Sequence, residues 1–540
     1  MASKDHGTNA RQLVHSHAHE ELPGTVNVKA AEGDDTAYGQ ALYPVPAEDP
    51  NDPLQWPQYK KTMILVVVCL YSFLGNAALQ GPGPHITLWS EIFGVSQARA
   101  SELISYPNLA YGFGSLLLVP MYMKFGRRPI MLGSMVTFIA GLIGASQAKT
   151  YEGLMVARVI SCFGSGVCEA LPVQLVNDIF FLHERGKYIG FYTCALCFAP
   201  ISTLPAAYML STGPTWRTFN YSVLGFSVAM LVLAFLFVEE SAYDRSAHMD
   251  SGISASASDG SGDQEKVHST TLEQTPSIPA RKSFVSTLKP WGEVDHQVPF
   301  FAMMYRSFTY FLVPQVLWVI TTFGLNIGLG ALTFNFVFPI KITAPPYNWP
   351  VSSSGLGSIG PFVGYLIALP FTSVSDRLAA RLTVKNDGIR EAEMRLGAML
   401  PGMIIGPIGI LVYGLTAEFN LHWIGYYFGT ALTSFGGYFF FCFTLAYAVD
   451  SYYADTSEML IAMNIGKQVV SFGLGFGVLD WVMQRGYAVV ISGIFCAVLL
   501  ANNLVLIVFM LWGKNIRRYV AGSWLARFHG KTHGNQGLTM

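Results

Sequence analysis

Charged side chains inside long apolar stretches are the first candidates for chemistry in this chain. Arg158 and Glu169 lie eleven residues apart in one such stretch, near 153–175. On a helix this spacing returns to nearly the same face about 16 Å further along. A charge in an apolar helix is costly and by default functional, so the two residues predict work on a solute or on protons in one cavity.

Both residues also have a structural interpretation. An arginine near a helix end can extend its guanidinium into the polar interface. A lone glutamate can hydrogen-bond to a neighbouring helix. If Glu169 instead titrates, exchange of a proton for a solute at this carboxylate would couple the two movements.

A second polar group lies in the apolar stretch near 459–482. Its members recur at helical spacing and are Asn464, Lys467, Gln468 and Ser471, with Asp480 further along. The strip fits either the lining of a cavity or packing against neighbouring helices. Asn326, in the stretch near 309–338, is a further polar candidate for solute or ion binding.

Twelve apolar windows of about 20 residues, long enough to cross a membrane as helices, position these side chains. They lie near 62–81, 102–122, 129–147, 153–175, 187–209, 218–238, 309–338, 353–374, 396–415, 422–446, 459–482 and 487–512. With 51% hydrophobic and 12% charged residues, the chain cannot form a water-soluble globule. The predicted fold class is an all-α membrane protein of twelve transmembrane helices in two six-helix halves.

A polar, serine-rich segment separates the two halves, and its composition cannot build a core. The predicted organisation is a disordered N-terminal tail 1–57, a first half 58–240, a flexible linker 241–305, a second half 306–513 and a C-terminal tail 514–540.

A short repeat indicates that the halves are duplicated. Gly114 and Pro120, at the end of the second helix, recur as Gly364 and Pro370 at the end of the eighth. Duplicated halves around a central cavity are typical of transporters. The alternative is chance recurrence of two residues that are common in membrane helices.

Lysine and arginine are concentrated at one end of the predicted helices. That end carries Lys60, Lys61, Lys124, Arg127, Arg128, Arg185, Lys187, Arg377, Arg381, Lys385, Arg390, Arg395, Lys514, Arg517 and Arg518. The other end keeps Arg99, Lys149, Arg217, Lys341 and Arg485. The positive-inside rule therefore places both termini and the linker in the cytoplasm. We expect the cell membrane, with an intracellular membrane such as that of a vacuole as the alternative.

Four segments in this order resemble the major facilitator superfamily, and within it a fungal branch similar to the twelve-span drug:proton antiporters. They are 52–57, 120–129, 169–178 with 183–186, and 449–452. The resemblance implies a central cavity, a small-molecule solute, coupling to protons, and a monomer in the lipid bilayer.

In this family a basic loop after the second helix latches one conformation on the cytoplasmic face. The resemblance assigns Gly126, Arg127 and Arg128 to that loop, although Met123 stands where the family has an aspartate. The copy after the eighth helix keeps Asp376 and Arg377, so the latch is expected to rest mainly on the second half. The alternative is that these charges only set orientation during insertion.

Two further likenesses bear on the direction of transport. Arg158 resembles the family's fourth-helix arginine, although Ser161 and Cys162 replace its usual neighbours. The fifth helix keeps only a trace of the antiporter glycine signature, since Thr203 and Leu204 replace its final glycine pair. The trace favours export of a drug or secondary metabolite over uptake of a nutrient or an organic cation such as a polyamine.

Other function classes lack their motifs in this sequence. The phosphate-binding pattern G-x-x-x-x-G-K-[ST] is missing, so no ATP-driven engine is expected. No metal-spaced cluster or nucleophile elbow is present, which argues against an enzyme, a metal site and a cofactor. A net charge of -1 argues against nucleic acid. A nontransporting receptor on the same fold is the remaining alternative.

Overall fold

The computed structural model describes residues 25–27, 49–211, 215–243, 283–291, 294–296, 298–386, 389–451, 456–524 and 528. Most of the predicted linker 241–305, and much of both predicted tails, lies outside these residues. Within them helices dominate, as predicted for an all-α membrane fold.

Twelve long helices run through the described residues, in the order that the apolar windows predict. They are α1 Gln58–Phe93, α2 Gln97–Phe125, α3 Arg127–Gln147, α4 Tyr151–Ile179, α5 Glu184–Ser211, α6 Arg217–Phe237, α7 Pro314–Thr343, α8 Val351–Lys385, α9 Ala392–Phe419, α10 Ile424–Ser451, α11 Ser457–Arg485 and α12 Ala488–Ala521. The shorter helices Phe284–Thr287 and Phe300–Ser307 precede α7.

Eleven of these helices are long and apolar enough to cross a membrane, and α2 is the exception among the described residues. α2 has 29 residues, so its length is sufficient. Its polar side chains Ser101, Ser105, Asn108 and Ser115 are buried against other helices. The lower hydropathy of α2 therefore reflects a helix of the protein interior, and the twelve-helix fold is retained.

Several helices lose α-helical geometry part of the way along, and the breaks in α4, α5 and α7 bear on the site. α4 passes through a 3-10 turn at Gly166–Cys168, and α5 through one at Ala199–Ser202, which contains Pro200. α7 becomes a π-helix at Asn326–Leu332. Glycine and proline weaken the regular helical hydrogen-bond ladder, so each break changes the direction in which the following side chains point.

The predicted repeat has a structural counterpart in both halves. A Cβ at Gly114 of α2 would collide with the carbonyl oxygen of Phe163 in α4, and one at Gly364 of α8 with that of Ala431 in α10. The same close helix crossing is thus built twice, because only glycine leaves room for a neighbouring backbone. This equivalence makes α4 and α10 corresponding helices.

The two halves meet along two pairs of helices. Gly112 of α2 packs on Gln468 of α11, where an added Cβ would lie 2.8 Å from the Gln468 Cβ. Gly355 of α8 packs on α5, where an added Cβ would lie 2.7 Å from the Ala207 Cβ and 2.8 Å from the Leu204 Cα. The close approach of α5 and α8 at this crossing therefore depends on a glycine of α8.

Two of the predicted boundaries differ from the structure. Thr25–Asn27, inside the tail predicted to be disordered, forms a β-strand (β1) that pairs with Ile389–Glu391 (β2). The last helix continues past the predicted end at 513 to Ala521. Its added turns are held by ion pairs from Lys514 to Glu391 and from Arg517 to Glu393, each 2.5 Å long.

Candidate functional site

A buried ion pair joins the two halves near the middle of the structure. The Lys467 ammonium of α11 pairs with the Glu169 carboxylate of α4, and their side chains are 6% and 5% exposed. Glu169 directly follows the 3-10 turn of α4, so the helix break sets the direction of its carboxylate. We call these two residues the central ion pair.

The surroundings of the central ion pair are largely apolar. The ring of Phe323 lies 5.6 Å from the Lys467 ammonium, and the Tyr192 hydroxyl donates to the backbone carbonyl of Glu169 at 3.1 Å. In such surroundings each charge depends on the other, because neither can recover its hydration. Removal of one charge leaves the other buried without compensation.

The polar strip of α11 faces the first half. Asn464, Lys467, Gln468 and Ser471 are all buried, and Asn108 of α2 donates to the Ser471 hydroxyl at 3.3 Å. Two atoms of the strip, Asn464 Nδ2 and Gln468 Oε1, have no hydrogen-bond partner among the described residues. In the structure the strip packs against α2 and α4.

Asp480 lies apart from the rest of the strip. It is exposed, and it follows Lys467 by roughly 20 Å along α11 at about 1.5 Å per residue. The structure does not bring Asp480 to the central ion pair.

Arg158 has different partners from those of Glu169. Its guanidinium donates to the carbonyl oxygens of Leu103 (2.7 Å) and Leu79 (3.1 Å) and lies 5.5 Å from the Trp89 ring. Arg158 therefore ties α4 to α1 and α2 within the first half. The predicted common cavity with Glu169 assumed a continuous helix, and the break at Gly166–Cys168 separates their surroundings.

A narrow cavity lies between the halves, apart from the central ion pair, and about 40 Å³ of it can be reached by the centre of a water-sized sphere. Most of its lining comes from α7, α8 and α10, with Pro84 of α1 and Pro200 and Thr203 of α5 closing the other side. Asn326, the polar candidate of α7, lines this cavity. Its side-chain amide donates a hydrogen bond to the Thr322 carbonyl at 2.8 Å. A cavity of this size holds only a few waters, so a drug-sized solute requires it to widen.

The cavity is aromatic and polar without being charged. Its rings are Phe334, Phe338, Tyr365 and Phe441, and its polar groups include Asn326, Asn335, Ser354, Ser358, Thr433 and Ser434. Sequence reasoning missed all of these except Asn326. A signal was present in α10, where Thr433, Gly437 and Phe441 recur every four residues and share one helix face.

The basic loop of the first half forms what we call the N-half charge cluster. Arg127 Nε donates to Asp178 at 3.1 Å, and the backbone N–H groups of Arg127 and Arg128 donate to the Glu240 carboxylate at 2.9 and 3.1 Å. Gly126 has φ of 97°, a left-handed conformation that glycine adopts without strain. The Arg128 guanidinium donates instead to backbone carbonyls, among them those of Val238 and Phe235.

The second half carries a corresponding C-half charge cluster. Asp376 pairs with Arg395, which also donates to Asp450 at 2.5 Å. Arg377, the predicted partner in this latch, is exposed instead. On the sequence alone Arg395 is named only among the basic residues that set orientation, because nineteen residues and a loop separate it from Asp376 and spacing alone does not show that they pair.

Known proteins share both the sequence pattern and the fold. The sequence profile described as Major Facilitator Superfamily matches residues 65–478. An uncharacterised MFS-type transporter of Schizosaccharomyces pombe is 24% identical, over 93% of this chain and 94% of its own. The MFS transporter fsa7 of a Fusarium species is 26% identical over 77% of each chain. The efflux pump FUBT of Fusarium oxysporum is 24% identical, over 81% of this chain and 69% of its own.

Solved structures agree at the level of the fold. The xylose transporter XylE from E. coli, in a partially occluded inward open conformation, has a TM-score of 0.55 at 14% identity, over 84% of this chain and 98% of its own. The human organic anion transporter MFSD10 has a TM-score of 0.52 at 13% identity, over 84% of this chain and 100% of its own. The profile match over most of the chain, together with this fold, establishes that the protein belongs to the Major Facilitator Superfamily of multi-pass membrane transporters, which are not enzymes.

Proposed function

We propose that this transporter exports a small organic solute across the cell membrane in exchange for protons, and that Glu169 carries the proton. The observation that supports the proposal is the central ion pair. It joins one charged residue from each half in a buried position, so its state depends on whether the halves are together.

Protonation of Glu169 would break the central ion pair and so weaken the contact between the halves. A neutral carboxyl group leaves the Lys467 ammonium buried without a counter-charge, at a cost of about 3–5 kcal/mol. The halves would then separate here, because water can hydrate the ammonium only when they do. Protonation thus favours one conformation over the other, as coupling requires.

The solute site that supports this proposal is the separate cavity on α7, α8 and α10. Since the central ion pair does not line it, solute and proton would influence each other through the movement of the halves rather than by direct contact. Such coupling is reciprocal: a solute that favours the deprotonated conformation must release a proton on binding.

Two observations support export. Several curated relatives are fungal transporters, and one of them is named an efflux pump. The glycine contact between α5 and α8 preserves the close approach that the antiporter signature provides. Uptake of a polyamine is the weaker alternative, because a polycation needs carboxylates and the described residues that line the cavity include none. The positive-inside pattern supports a cytoplasmic linker and termini.

Coupling can be tested without knowing the solute. Spin labels at Phe125 and Arg381, both exposed and in different halves, report the separation of the halves by pulsed electron resonance. We expect the distance distribution to change with pH in the wild-type protein and to become pH-independent in Glu169→Gln. Glu91→Gln, which removes an exposed carboxylate, is the matched control and should retain the wild-type response. An unchanged pH response in Glu169→Gln contradicts the proposal.

A further inference from the structure

The chemistry of the cavity defines the class of solute it accepts. The described lining residues carry no charged side chain. Transfer of an ion from water into such a site costs several kcal/mol unless a counter-charge compensates it. A solute that binds here is therefore neutral, whichever direction it moves.

The hydroxyl groups of the lining narrow the class further. Ser354 donates to the Val351 carbonyl at 2.6 Å, Ser358 to the Gly355 carbonyl at 2.9 Å, and Thr433 to the Gly429 carbonyl at 3.0 Å. Because each hydroxyl hydrogen is already used within its own helix, the oxygen faces a solute as an acceptor. These positions favour a solute with hydroxyl or amide N–H donors.

The rings and amides supply the remaining contacts. Phe334, Phe338 and Phe441 offer flat apolar surfaces, which favour aromatic or alicyclic skeletons. The amides of Asn326 and Asn335 can pair with a solute carbonyl or hydroxyl. We infer that the cavity binds neutral ring compounds that carry hydrogen-bond donors; the inference rests on the proposed transport function and names its solute class.

Two probes of similar shape and different charge test this inference: triphenylmethanol, which is neutral and has a hydroxyl donor, and the methyltriphenylphosphonium cation. Ligand binding raises the melting temperature of purified protein in nanodiscs by an amount that grows with the logarithm of the ratio of ligand concentration to Kd once that ratio exceeds one. We expect triphenylmethanol to stabilise the protein at concentrations at least tenfold lower than the cation. Asn326→Leu and Phe441→Leu should weaken the stabilisation by triphenylmethanol. Phe428→Leu changes an exposed residue of α10, the helix that also carries Phe441, and should leave the stabilisation unchanged.

Equal or stronger stabilisation by the cation overturns the solute class, and so does the absence of any effect of triphenylmethanol. If triphenylmethanol stabilises Asn326→Leu and Phe441→Leu as strongly as the wild type, the cavity is not its binding site. None of these outcomes depends on proton coupling. Failure of the Glu169→Gln test with a positive result here would reject the coupling proposal and leave the solute class standing.

An independent observation concerns the N-terminal tail. β1 adds to β2 as an antiparallel strand in the register Thr25↔Glu391, Val26↔Arg390 and Asn27↔Ile389. The Thr25 hydroxyl also accepts a hydrogen bond from Arg517 of α12 at 3.3 Å. A two-stranded ribbon is only marginally stable by itself, so the contact between Thr25 and Arg517 helps to hold it in place.

β2 belongs to the loop between α8 and α9, the helices that carry Asp376 and Arg395 of the C-half charge cluster. Arg390 of β2 lies 3.8 Å from Asp450, and Arg395 follows a few residues later. β1 therefore pairs with the backbone that carries Arg390 and that leads into the helix of Arg395. The chain then enters the first half at Asp49, which accepts a hydrogen bond from Tyr243 at 3.0 Å.

We propose that the N-terminal tail docks on this loop by strand addition and stabilises the conformation in which the C-half charge cluster is formed. Docking is tested by disulfide formation between Thr25→Cys and Glu391→Cys, which are directly opposite in register. The matched pair is Thr25→Cys with Lys187→Cys, an exposed position of the first half. We expect rapid cross-linking of the first pair and slow cross-linking of the second.

Deletion of residues 1–30 tests the consequence. The distance distribution between labels at Phe125 and Arg381 should broaden towards longer distances, because the loop loses its added strand. Equal cross-linking of both cysteine pairs overturns the docking. An unchanged distance distribution after deletion overturns the stabilising role.

Discussion

α4 and α10 occupy corresponding positions in the two halves, yet they carry different chemistry. Each lies close to its partner helix, at Gly114 of α2 or at Gly364 of α8. α4 contains Arg158 and Glu169, both buried. α10 presents Thr433, Ser434 and aromatic rings to the cavity, and its one charged residue, Asp450, lies at the end of the helix.

The difference separates two tasks that a coupled transporter must link. A buried titratable carboxylate needs a nearby positive charge, because without that counter-charge its ionised form is not stabilised. A site for a neutral solute loses affinity when a charge must be desolvated there. With the titratable charge on α4 and the uncharged cavity lining on α10, neither site disturbs the other. The contact between the two halves links them.

The largest effect is expected from Lys467→Met, which removes the counter-charge of Glu169. An unpaired buried carboxylate should cost about 3–5 kcal/mol of stability. The double variant Glu169→Gln with Lys467→Met should regain most of that loss, because no uncompensated charge remains. Melting temperatures in detergent measure both. Equal loss in the single and double variants would show that packing, rather than charge pairing, sets the stability of this region.

The two charge clusters should differ in strength. Arg395→Gln leaves Asp376 and Asp450 without their shared partner in a position where the arginine is 3% exposed, whereas Arg127 is 12% exposed. Hydrogen bonds to charged groups contribute about 1.5–3 kcal/mol each. We expect Arg395→Gln to shift the Phe125–Arg381 distance distribution more than Arg127→Gln does. The reverse order would mean that the latch rests on the first half.

Neutralising Arg127 and Arg128 together should slow conformational exchange more than it weakens binding of triphenylmethanol. The N-half charge cluster contacts Asp178 and Glu240 and does not line the cavity. Relaxation of the spin-label distance after a pH jump measures exchange, and thermal shift measures binding. A loss of affinity with normal exchange rates contradicts this assignment.

A smaller change is expected from Asn326→Leu, which removes a polar side chain from the uncharged cavity. Loss of one solute hydrogen bond should weaken binding about tenfold, equivalent to about 1.4 kcal/mol. The pH dependence of the spin-label distance should remain normal, because the central ion pair is intact. Loss of that pH dependence would show that the cavity and the proton site are one.

The smallest effect belongs to Asp480→Asn. Its carboxylate is exposed and distant from Lys467, and surface substitutions of this kind change stability by less than about 0.5 kcal/mol. Melting temperature and pH response should both match the wild-type protein. A clear loss of pH response would return Asp480 to the coupling site.

Much of the fold was predictable because its signals are local. Apolar length marked twelve helices, and Gly114 and Gly364 marked the repeat that the structure builds as equivalent helix crossings. The strand at Thr25–Asn27 was not predictable, because it depends on pairing with a segment more than 350 residues away.

The site was less predictable because its interacting residues lie on different helices. Lys467 and Glu169 were both recognised as buried charges, but sequence spacing could not show that they pair with each other. Arg158 was grouped with Glu169 on the assumption of one regular helix, and a single 3-10 turn removed that relation. The cavity rings lacked any charge or motif that would distinguish them from ordinary core residues.

The role of Glu169 as proton carrier is tested by the number of protons released when a neutral solute binds. Titration calorimetry with triphenylmethanol, in buffers of different ionisation enthalpy, gives that number for purified protein. We predict proton release by the wild-type protein and by Glu91→Gln, and none by Glu169→Gln at comparable affinity. Equal proton release by Glu169→Gln and the wild type would contradict the assignment of Glu169 as the proton carrier.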